Sequence, residues 1–403
     1  MSPITNARNL YQQYKIVLST AAGLLGSTAI LGIGGLAFWA LVGHNAGSRV
    51  LGQAATSVSL ATLASMIAGA GAIHLVIARK DHLRSLVSTL AIACPVIAGA
   101  CAALFSSHAR ILVIFLAGGL TLGLIVDAAA IADGRPQRVT ARAAIQVAGI
   151  LSASIWIHSY QGFIIAWTIS TWVASSSQLI HWASRPDFSL LRNLGKDIWS
   201  YYLAGVTGQA PAFIVAPLAA ILSTPIVAGE AYIAMALVGP LTSLSVSLSV
   251  GVHVDGKRSA EDTRRLFTRT VLVVLGLATI AALCTPLLHF AGPSFAAAAP
   301  FVAVMVFATV LDAICNIWSS LWRVNKRLVV VPILYIVELA AFAITVALIM
   351  PSLGIQSIVW GWYAQGVAGV ALVFIVERRL IPRHEEPILK NHEIPSKGLL
   401  VRV

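Results

Sequence analysis

Residues 110–142, RILVIFLAGGLTLGLIVDAAAIADGRPQRVTAR, contain the pattern that decides the fold. The run from 111 to 132 holds a single charged residue, Asp127. It is long enough to cross the hydrocarbon core of a bilayer, which takes about 20 residues in a helix. Arg110 precedes the run, and three arginines follow it: Arg135, Arg138 and Arg142. The stretch therefore predicts a membrane-spanning helix whose two ends differ in positive charge.

The same pattern repeats along the whole chain and predicts twelve spans. They are 16–42, 50–77, 84–105, 110–132, 140–157 and 160–183, then 198–222, 226–253, 266–290, 296–321, 328–350 and 355–377. Lys and Arg cluster at every second gap between spans. Of the 27 Lys and Arg, 25 lie in those gaps, in the span ends that adjoin them or at the termini, and only Arg49 and Arg110 lie on the opposite side. Cytoplasmic loops retain positive charge, so both termini are predicted to be cytoplasmic.

The amino-acid composition and the motifs exclude several classes of function for this chain. Charged residues make up 10% of the chain, against roughly 25% in a soluble domain. The net charge of +12 would suit nucleic acid, but the charges sit at helix ends where anionic lipid headgroups lie. The chain contains no P-loop, no zinc-ligand spacing and no Gly-x-Ser-x-Gly motif. We expect no enzymatic activity, no cofactor, no metal and no nucleic-acid partner.

Local matches between the two halves predict an all-α polytopic protein with a parallel repeat. Val50–Ala54 and Val227–Ala231 each open a span, and Asp127 and Asp312 each lie late in one. The offsets are 177 and 185 residues. An even number of spans separates each pair, which predicts a pseudo-two-fold axis along the membrane normal. The predicted domains are an N-lobe, a linker with a short interfacial helix, a C-lobe and a cytoplasmic tail: 1–183, 184–197, 198–377 and 378–403.

Four intramembrane carboxyls are candidates for ion coupling, because ionisable groups are costly inside a bilayer. Glu338 lies at the centre of the eleventh span and is either functional or a protonated carboxyl bonded to a neighbouring helix. Asp127 and Asp312 are expected to be structural, each pairing with a basic residue such as Arg138 or Arg323. Glu230 lies in a first helical turn, where the helix dipole stabilises a carboxylate.

Cationic and aromatic side chains are the candidates for substrate binding. The middle of every span lacks Lys and Arg, so an anionic headgroup would be met near the cytoplasmic end, where guanidinium groups suit phosphate geometry. Ordinary positive-inside charge is the alternative for each of them. The candidates are Lys15, Arg135, Arg138, Arg323 and Lys326, together with Trp167 and Trp172, which either contact a sugar or belong to the packing.

Three local patterns carry a resemblance to a known family. They are the run Gly34–Val42, the loop Val126-Asp127 with Gly134-Arg135-Pro136, and Ala228–Tyr232 with Gly239-Pro240-Leu241. With the twelve-span plan, the chain resembles polysaccharide flippases of the multidrug/oligosaccharidyl-lipid/polysaccharide (MOP) exporter superfamily, the Wzx-type translocases. The resemblance covers most of the length.

The resemblance implies alternating access in the bacterial inner membrane, during cell-envelope polysaccharide biosynthesis. The implied substrate is a polyprenyl-pyrophosphate-linked oligosaccharide, and the implied partners are membrane lipids and a polysaccharide polymerase or glycosyltransferases. Two alternatives stay open: a cation-coupled multidrug exporter of the same superfamily, and a non-transporting membrane assembly partner. Exporters usually carry a carboxylate in the first or seventh helix, whereas here the seventh span has only Asp197 at its start.

Overall fold

The computed structural model describes the backbone of residues 3–78, 82–105, 110–191, 196–254, 260–325 and 327–380, which form helices and turns without a strand. The α-helices are α1 Pro3–Ala78, α2 Leu83–Phe105, α3 Arg110–Ala132, α4 Gln137–Ser154, α5 Tyr160–Leu179, α6 Lys196–Leu222, α7 Pro225–Val254, α8 Ala260–Cys284, α9 Pro293–Val324, α10 Val330–Leu353 and α11 Gln356–Leu380. Short 3-10 helices cover Phe188–Leu191 and Thr285–Ala291.

The first two predicted spans form one helix that is kinked at a single residue. Gly47 has φ 82° and ψ 168°, and the residues on both sides are helical. The predicted loop between the two spans is therefore replaced by a kink. Glycine tolerates positive φ without the steric penalty that a Cβ would bring. We refer to the parts of α1 before and after Gly47 as its first arm and second arm.

The other predicted spans agree with helices to within a few residues, except that the ninth span, 266–290, ends in the 3-10 helix Thr285–Ala291. Within the part of the chain that the structure describes, nine helices are long and apolar enough to cross a membrane, with the two arms of α1 counted as one. The other two helices, α4 and α5, are richer in polar residues. In the linker, 184–197, the predicted interfacial helix is a 3-10 turn at Phe188–Leu191; residues 192–195 lie outside the described residues, and α6 begins at Lys196.

Helices of the same half of the chain pack mainly against one another. The first half is assembled around α1, which contacts α2, α3, α4 and α5. In the second half, α9 contacts α7, α8 and α11, and α10 packs between α6 and α11. The two halves meet chiefly where α1 contacts α6 and α7.

Close backbone approach marks the contact between α1 and α7 near the kink. A Cβ on Gly52 would overlap the carbonyl oxygen of Pro225, and a Cβ on Gly229 would lie 3.1 Å from the Gly52 backbone. Gly52 and Gly229 occupy matching positions in the predicted repeat. Small residues let helices approach this closely. Beside them, the Ser48 and Ser294 hydroxyls are hydrogen bonded at 2.7 Å and join α1 to α9.

Candidate functional site

A polar network in the first half connects α3, α4 and α5. The Arg142 guanidinium donates from Nε and Nη2 to the two carboxylate oxygens of Asp127, at 2.7 and 2.6 Å. Its Nη1 donates to Gln146 at 2.8 Å, and Gln146 donates to the Thr171 hydroxyl at 3.1 Å. Gly123 leaves the room for this guanidinium, because a Cβ there would lie 3.2 Å from Nη1.

This first network pairs each charge with a matched partner. The Arg142 and Asp127 side chains are 8% and 18% exposed, so an isolated charge on either would be costly. The bidentate geometry satisfies both carboxylate oxygens. The basic partner of Asp127 is Arg142, rather than Arg138 or Arg323, which were named as examples. The network as a whole joins α3, α4 and α5.

A second cluster lies where α9, α10 and α11 meet and brings together two of the four predicted carboxyls. Asp312 on α9 and Glu338 on α10 are 5% and 4% exposed. They are near enough to interact electrostatically, and the Cys315 thiol is within hydrogen-bonding reach of Glu338. Gly369 on α11 makes room for the pair, since a Cβ there would overlap Oε1 of Glu338.

Acceptor oxygens in the second cluster are buried without hydrogen bonds. Oδ2 of Asp312 and Oε1 of Glu338 have no hydrogen-bond partner among the described residues. The Trp362 indole N–H interacts with Asp312 without meeting hydrogen-bond geometry. Burying a polar atom without a partner costs free energy. The cluster thus has unpaired acceptor oxygens that can take up protons, whereas both carboxylate oxygens of Asp127 are already hydrogen bonded.

The two clusters lie on helices that the predicted repeat would match, α3 with α9 and α4 with α10. Their residues can therefore be compared position by position. Arg142 and Tyr335 each lie five residues after the first residue of their helix. About one turn later α4 carries Gln146, whereas α10 carries Glu338. In the first half, the aspartate therefore pairs with a guanidinium. In the second half, the neighbour of the aspartate is another carboxyl.

A hydrogen-bonded chain runs beside the second cluster on its α7 side. The Tyr335 hydroxyl donates to Asn316 Oδ1 at 3.0 Å and lies 3.0 Å from the Ser319 hydroxyl. Asn316 in turn donates to Ser245 on α7 at 3.3 Å. Polar groups thus continue from the carboxyl pair towards the helix that contacts the first half.

The two tryptophan candidates have different environments. Trp172 donates from its indole to the Phe115 carbonyl at 2.8 Å and packs against Gly119, so it fixes α5 to α3. Trp167 lies in an aromatic group at the contact between the halves, with ring centroids 4.8 Å from Phe38 and 5.5 Å from Trp39. Its buried indole N–H has no partner among the described residues. Trp167 therefore remains a candidate for substrate contact, and Trp172 is committed to packing.

Glu230, the fourth carboxyl candidate, is half-buried in the second turn of α7, not in the first turn as predicted, because the helix begins at Pro225. It is close in sequence to Tyr232, whose ring centroid lies 4.8 Å from that of Trp39. Glu230 is therefore near the kink end of the bundle. It belongs to neither of the two polar clusters.

The cationic candidates are distributed around helix ends. Arg135 is exposed and pairs with Asp133 through Nε at 3.1 Å. Arg138 lies over the Trp182 ring, 5.3 Å from its centroid, and Arg323 at the end of α9 interacts with Tyr335. The side chains of Lys15 and Lys326 lie outside the described residues. Among the described residues, no contact joins Arg323 to Arg135 or Arg138.

Arg142, Gln146 and Thr171 belong to the first polar network, and none of them is among the predicted site residues. Arg142 was explained by the positive-inside pattern, which made it look like an ordinary loop charge. A signal was nevertheless present, because Asp127 and Arg142 are separated by only one turn between helices. An antiparallel helix pair joined by a short turn brings late and early residues side by side.

Comparison with known proteins gives a match at the level of the fold. No family model and no curated protein matches the sequence. A multidrug resistance MATE family transporter of the MOP superfamily, in an inward-facing conformation, aligns over 89% of this chain and 98% of its own, with TM-score 0.63 and 13% identity. An outward-facing MATE family transporter gives 0.59, 12% identity and coverages of 91% and 95%. A MOP superfamily transporter from Pyrococcus furiosus gives 0.55 with the same identity and coverages. The chain therefore has the fold of the MATE transporters of the MOP superfamily.

Proposed function

We propose that this chain is a secondary transporter that works by alternating access of its two halves and is driven by protons at Asp312 and Glu338. The observation that carries the proposal is the buried carboxyl pair, in which Oδ2 of Asp312 and Oε1 of Glu338 have no hydrogen-bond partner among the described residues. The fold and the chain's division around α1, α6 and α7 support the transport part.

Protons suit this pair for an electrostatic reason. Two neighbouring carboxyls in an apolar site cannot both ionise cheaply, so they share protons and titrate as a coupled pair. Opening the cluster to water on one side of the membrane would lower the cost of ionisation and release a proton there. A conformational change of α9, α10 and α11 would then be coupled to the proton gradient.

We propose a polyprenyl-pyrophosphate-linked oligosaccharide as the substrate. The resemblance of the local patterns to flippases supports it. So does the position of Trp167, whose ring packs on Phe38 and Trp39 in the aromatic group that reaches Tyr232 of the second half, because aromatic rings suit a sugar. The lipid tail would stay in the bilayer while the glycan passes between two six-helix lobes, 1–183 and 198–377. Polysaccharide polymerases or glycosyltransferases are the partners this substrate implies.

Multidrug export is the second candidate function. Structures with the same fold include transporters described by their multidrug resistance. An aromatic group at the contact between the halves also suits an apolar organic cation. Both functions share the proton-coupled carboxyl pair, so they differ only in the cargo.

A proteoliposome assay tests the coupling and the cargo separately. Flipping of a fluorescent polyprenyl-pyrophosphate sugar, and uptake of a fluorescent organic cation, are each measured with and without an imposed pH gradient. The variants are Glu338→Gln and Asp312→Asn, which keep size and remove charge. The matched control is Glu230→Gln, a half-buried carboxyl outside the pair.

The proposal predicts that both variants insert normally but lose the response to the gradient, while Glu230→Gln keeps it. A parent-like response in Glu338→Gln would end the coupling role. Gradient-driven uptake of the organic cation without sugar-lipid flipping would replace the flippase proposal with the exporter. Neither activity in the parent protein would favour an assembly partner.

A further inference from the structure

A polar cavity lies at the end of the bundle that the charge pattern assigns to the cytoplasm, outside both polar clusters. Its volume is about 510 Å³, within the roughly 300–1,000 Å³ of small-ligand sites. It is enclosed by the start of α2, the turn between α3 and α4, and the segment after α5. Its lining includes two arginines, two histidines and two serines: Arg84, Arg135, His82, His181, Ser85 and Ser184.

The charge of the lining favours an anion. Arg84 and Arg135 bring positive charge from two different parts of the chain, and α2 begins at Leu83 beside them. The positive end of that helix dipole adds to the field. The acidic residue of the lining is Asp133, which is paired with Arg135.

Asp187 is an acidic residue that interacts with His82 of the cavity lining. The Asp187 carboxylate accepts hydrogen bonds from the Ser189 hydroxyl and N–H, which hold its pKa below the ordinary value, and it interacts with His82. The Asp187 carboxyl therefore stays charged. The arginines, rather than the histidines, are the permanent charges offered to a ligand.

The cavity is held in shape by hydrogen bonds from α2 to the segment after α5. Ser88 Oγ accepts from the Ser184 N–H at 2.9 Å, and Thr89 Oγ1 accepts from the Asp187 N–H at 2.7 Å. On the remaining side, Trp182 is buried and Arg138 packs over its ring. Nη1 of Arg138 is buried without a partner among the described residues. The unpaired Arg138 donor thus belongs to a side chain that packs on Trp182, a residue of the cavity lining.

We propose that this cavity binds the phosphate or pyrophosphate group of a lipid at the cytoplasmic surface. Two arginines, hydroxyl groups and a helix start converging on one cavity are the groups that hold phosphate oxygens elsewhere in proteins. The cavity lies at a helix-end level that lipid headgroups occupy. That the lipid is the transported carrier, docked before it enters between the halves, rests on the function proposed above.

Binding is measured directly, without transport. The purified full chain is titrated in detergent with a short-chain polyprenyl pyrophosphate, with phosphatidylglycerol, with zwitterionic phosphatidylcholine and with inorganic pyrophosphate, and bound ligand is counted by native mass spectrometry. The variants are Arg84→Gln with Arg135→Gln, and Asp133→Asn alone. The control is Arg185→Gln, an exposed arginine on the same surface that does not line the cavity.

The proposal predicts opposite effects from the two changes. Loss of both arginines should weaken binding of the phosphate lipids at least about tenfold, because two charge-assisted contacts are removed. Asp133→Asn should tighten it by about threefold, because a competing anion is removed. Arg185→Gln should change it less than about twofold, as expected for a screened surface charge.

Comparison of the ligands in this titration identifies the source of the phosphate group. Tighter binding of the polyprenyl pyrophosphate than of phosphatidylglycerol links the cavity to the carrier, and equal binding makes it a site for membrane lipid in general. Binding of inorganic pyrophosphate alone would overturn the lipid part of the proposal. Equal binding of phosphatidylcholine, or insensitivity to all the variants, would overturn the site itself, whatever the transport assay shows.

Discussion

Replacing Asp127 by Asn should destabilise the protein by about 3 kcal/mol and should leave proton coupling intact. The change removes the charge that faces a guanidinium whose residue is 7% exposed. It also places an amide N–H against an Arg142 donor that now binds oxygen at 2.7 or 2.6 Å. Breaking a buried ion pair by removing one partner typically costs about 3–5 kcal/mol. The retained amide oxygen puts Asn at the lower end of that range.

Reversible denaturation in mixed micelles measures the free energy of unfolding of the Asp127→Asn variant and of the parent protein. A loss of about 3 kcal/mol corresponds to about a hundredfold change in the unfolding equilibrium constant. The matched control is Asp133→Asn, which breaks the exposed pair with Arg135 and should cost under about 1 kcal/mol. The double variant Asp127→Asn with Arg142→Gln should lose less than the sum of the two single changes, because no unpaired charge remains.

A loss below about 1 kcal/mol for Asp127→Asn, equal to that of the exposed control, would refute the assignment of this network as structural. The same preparation tests function. Gradient-driven transport per folded molecule should match the parent, in contrast to Glu338→Gln. Abolished coupling with unchanged stability would transfer the coupling role from the second half to Asp127.

Three further predictions concern packing and topology. Gly52→Val should abolish transport while permitting membrane insertion, because its side chain would overlap the Pro225 carbonyl and prevent α1 from closing on α7. The control Gly35→Val, where a Cβ meets nothing within 4 Å, should transport normally in the same flux assay. Equal activity of the two variants would contradict the closure argument. Gly369→Ala should weaken the gradient response, because the methyl group displaces Glu338, and an unchanged pH-gradient dependence would show that the carboxyl has room to move. Reporter fusions in 255–265 should read cytoplasmic and in 291–295 external, and the opposite reading at either site would break the twelve-span topology.

Helix positions were predictable from the sequence because long apolar runs bounded by charge leave few alternatives in a bilayer. The kink at Gly47 was missed because the polar residues around it, such as His44 and Asn45, suggest a loop by composition. Composition does not record that a single positive-φ residue can redirect a helix. Hydropathy likewise gives no evidence of which helices share a face.

Individual roles were harder to predict than positions. Glu338 was recognised as costly, but its neighbour is Asp312 on another helix, and sequence alone does not give that contact. Arg142 was masked by a general charge bias that explains almost every other arginine. Trp172 was a candidate for sugar contact, yet its indole N–H donates to a backbone carbonyl on α3. Pairwise geometry decides each of these cases.

The position of α1 at the contact between the halves has a consequence for biogenesis. Its second arm packs through Gly52 against Pro225 and Gly229, which are made much later. At roughly 5–20 residues per second, the intervening stretch of about 170 residues takes roughly 10–35 s to synthesise. During that interval the most closely packing surface of α1 has no native partner in the membrane. The newly made first half therefore stays incomplete in the membrane, shielded by lipid or by an insertion factor, until α7 has been synthesised and packs against α1.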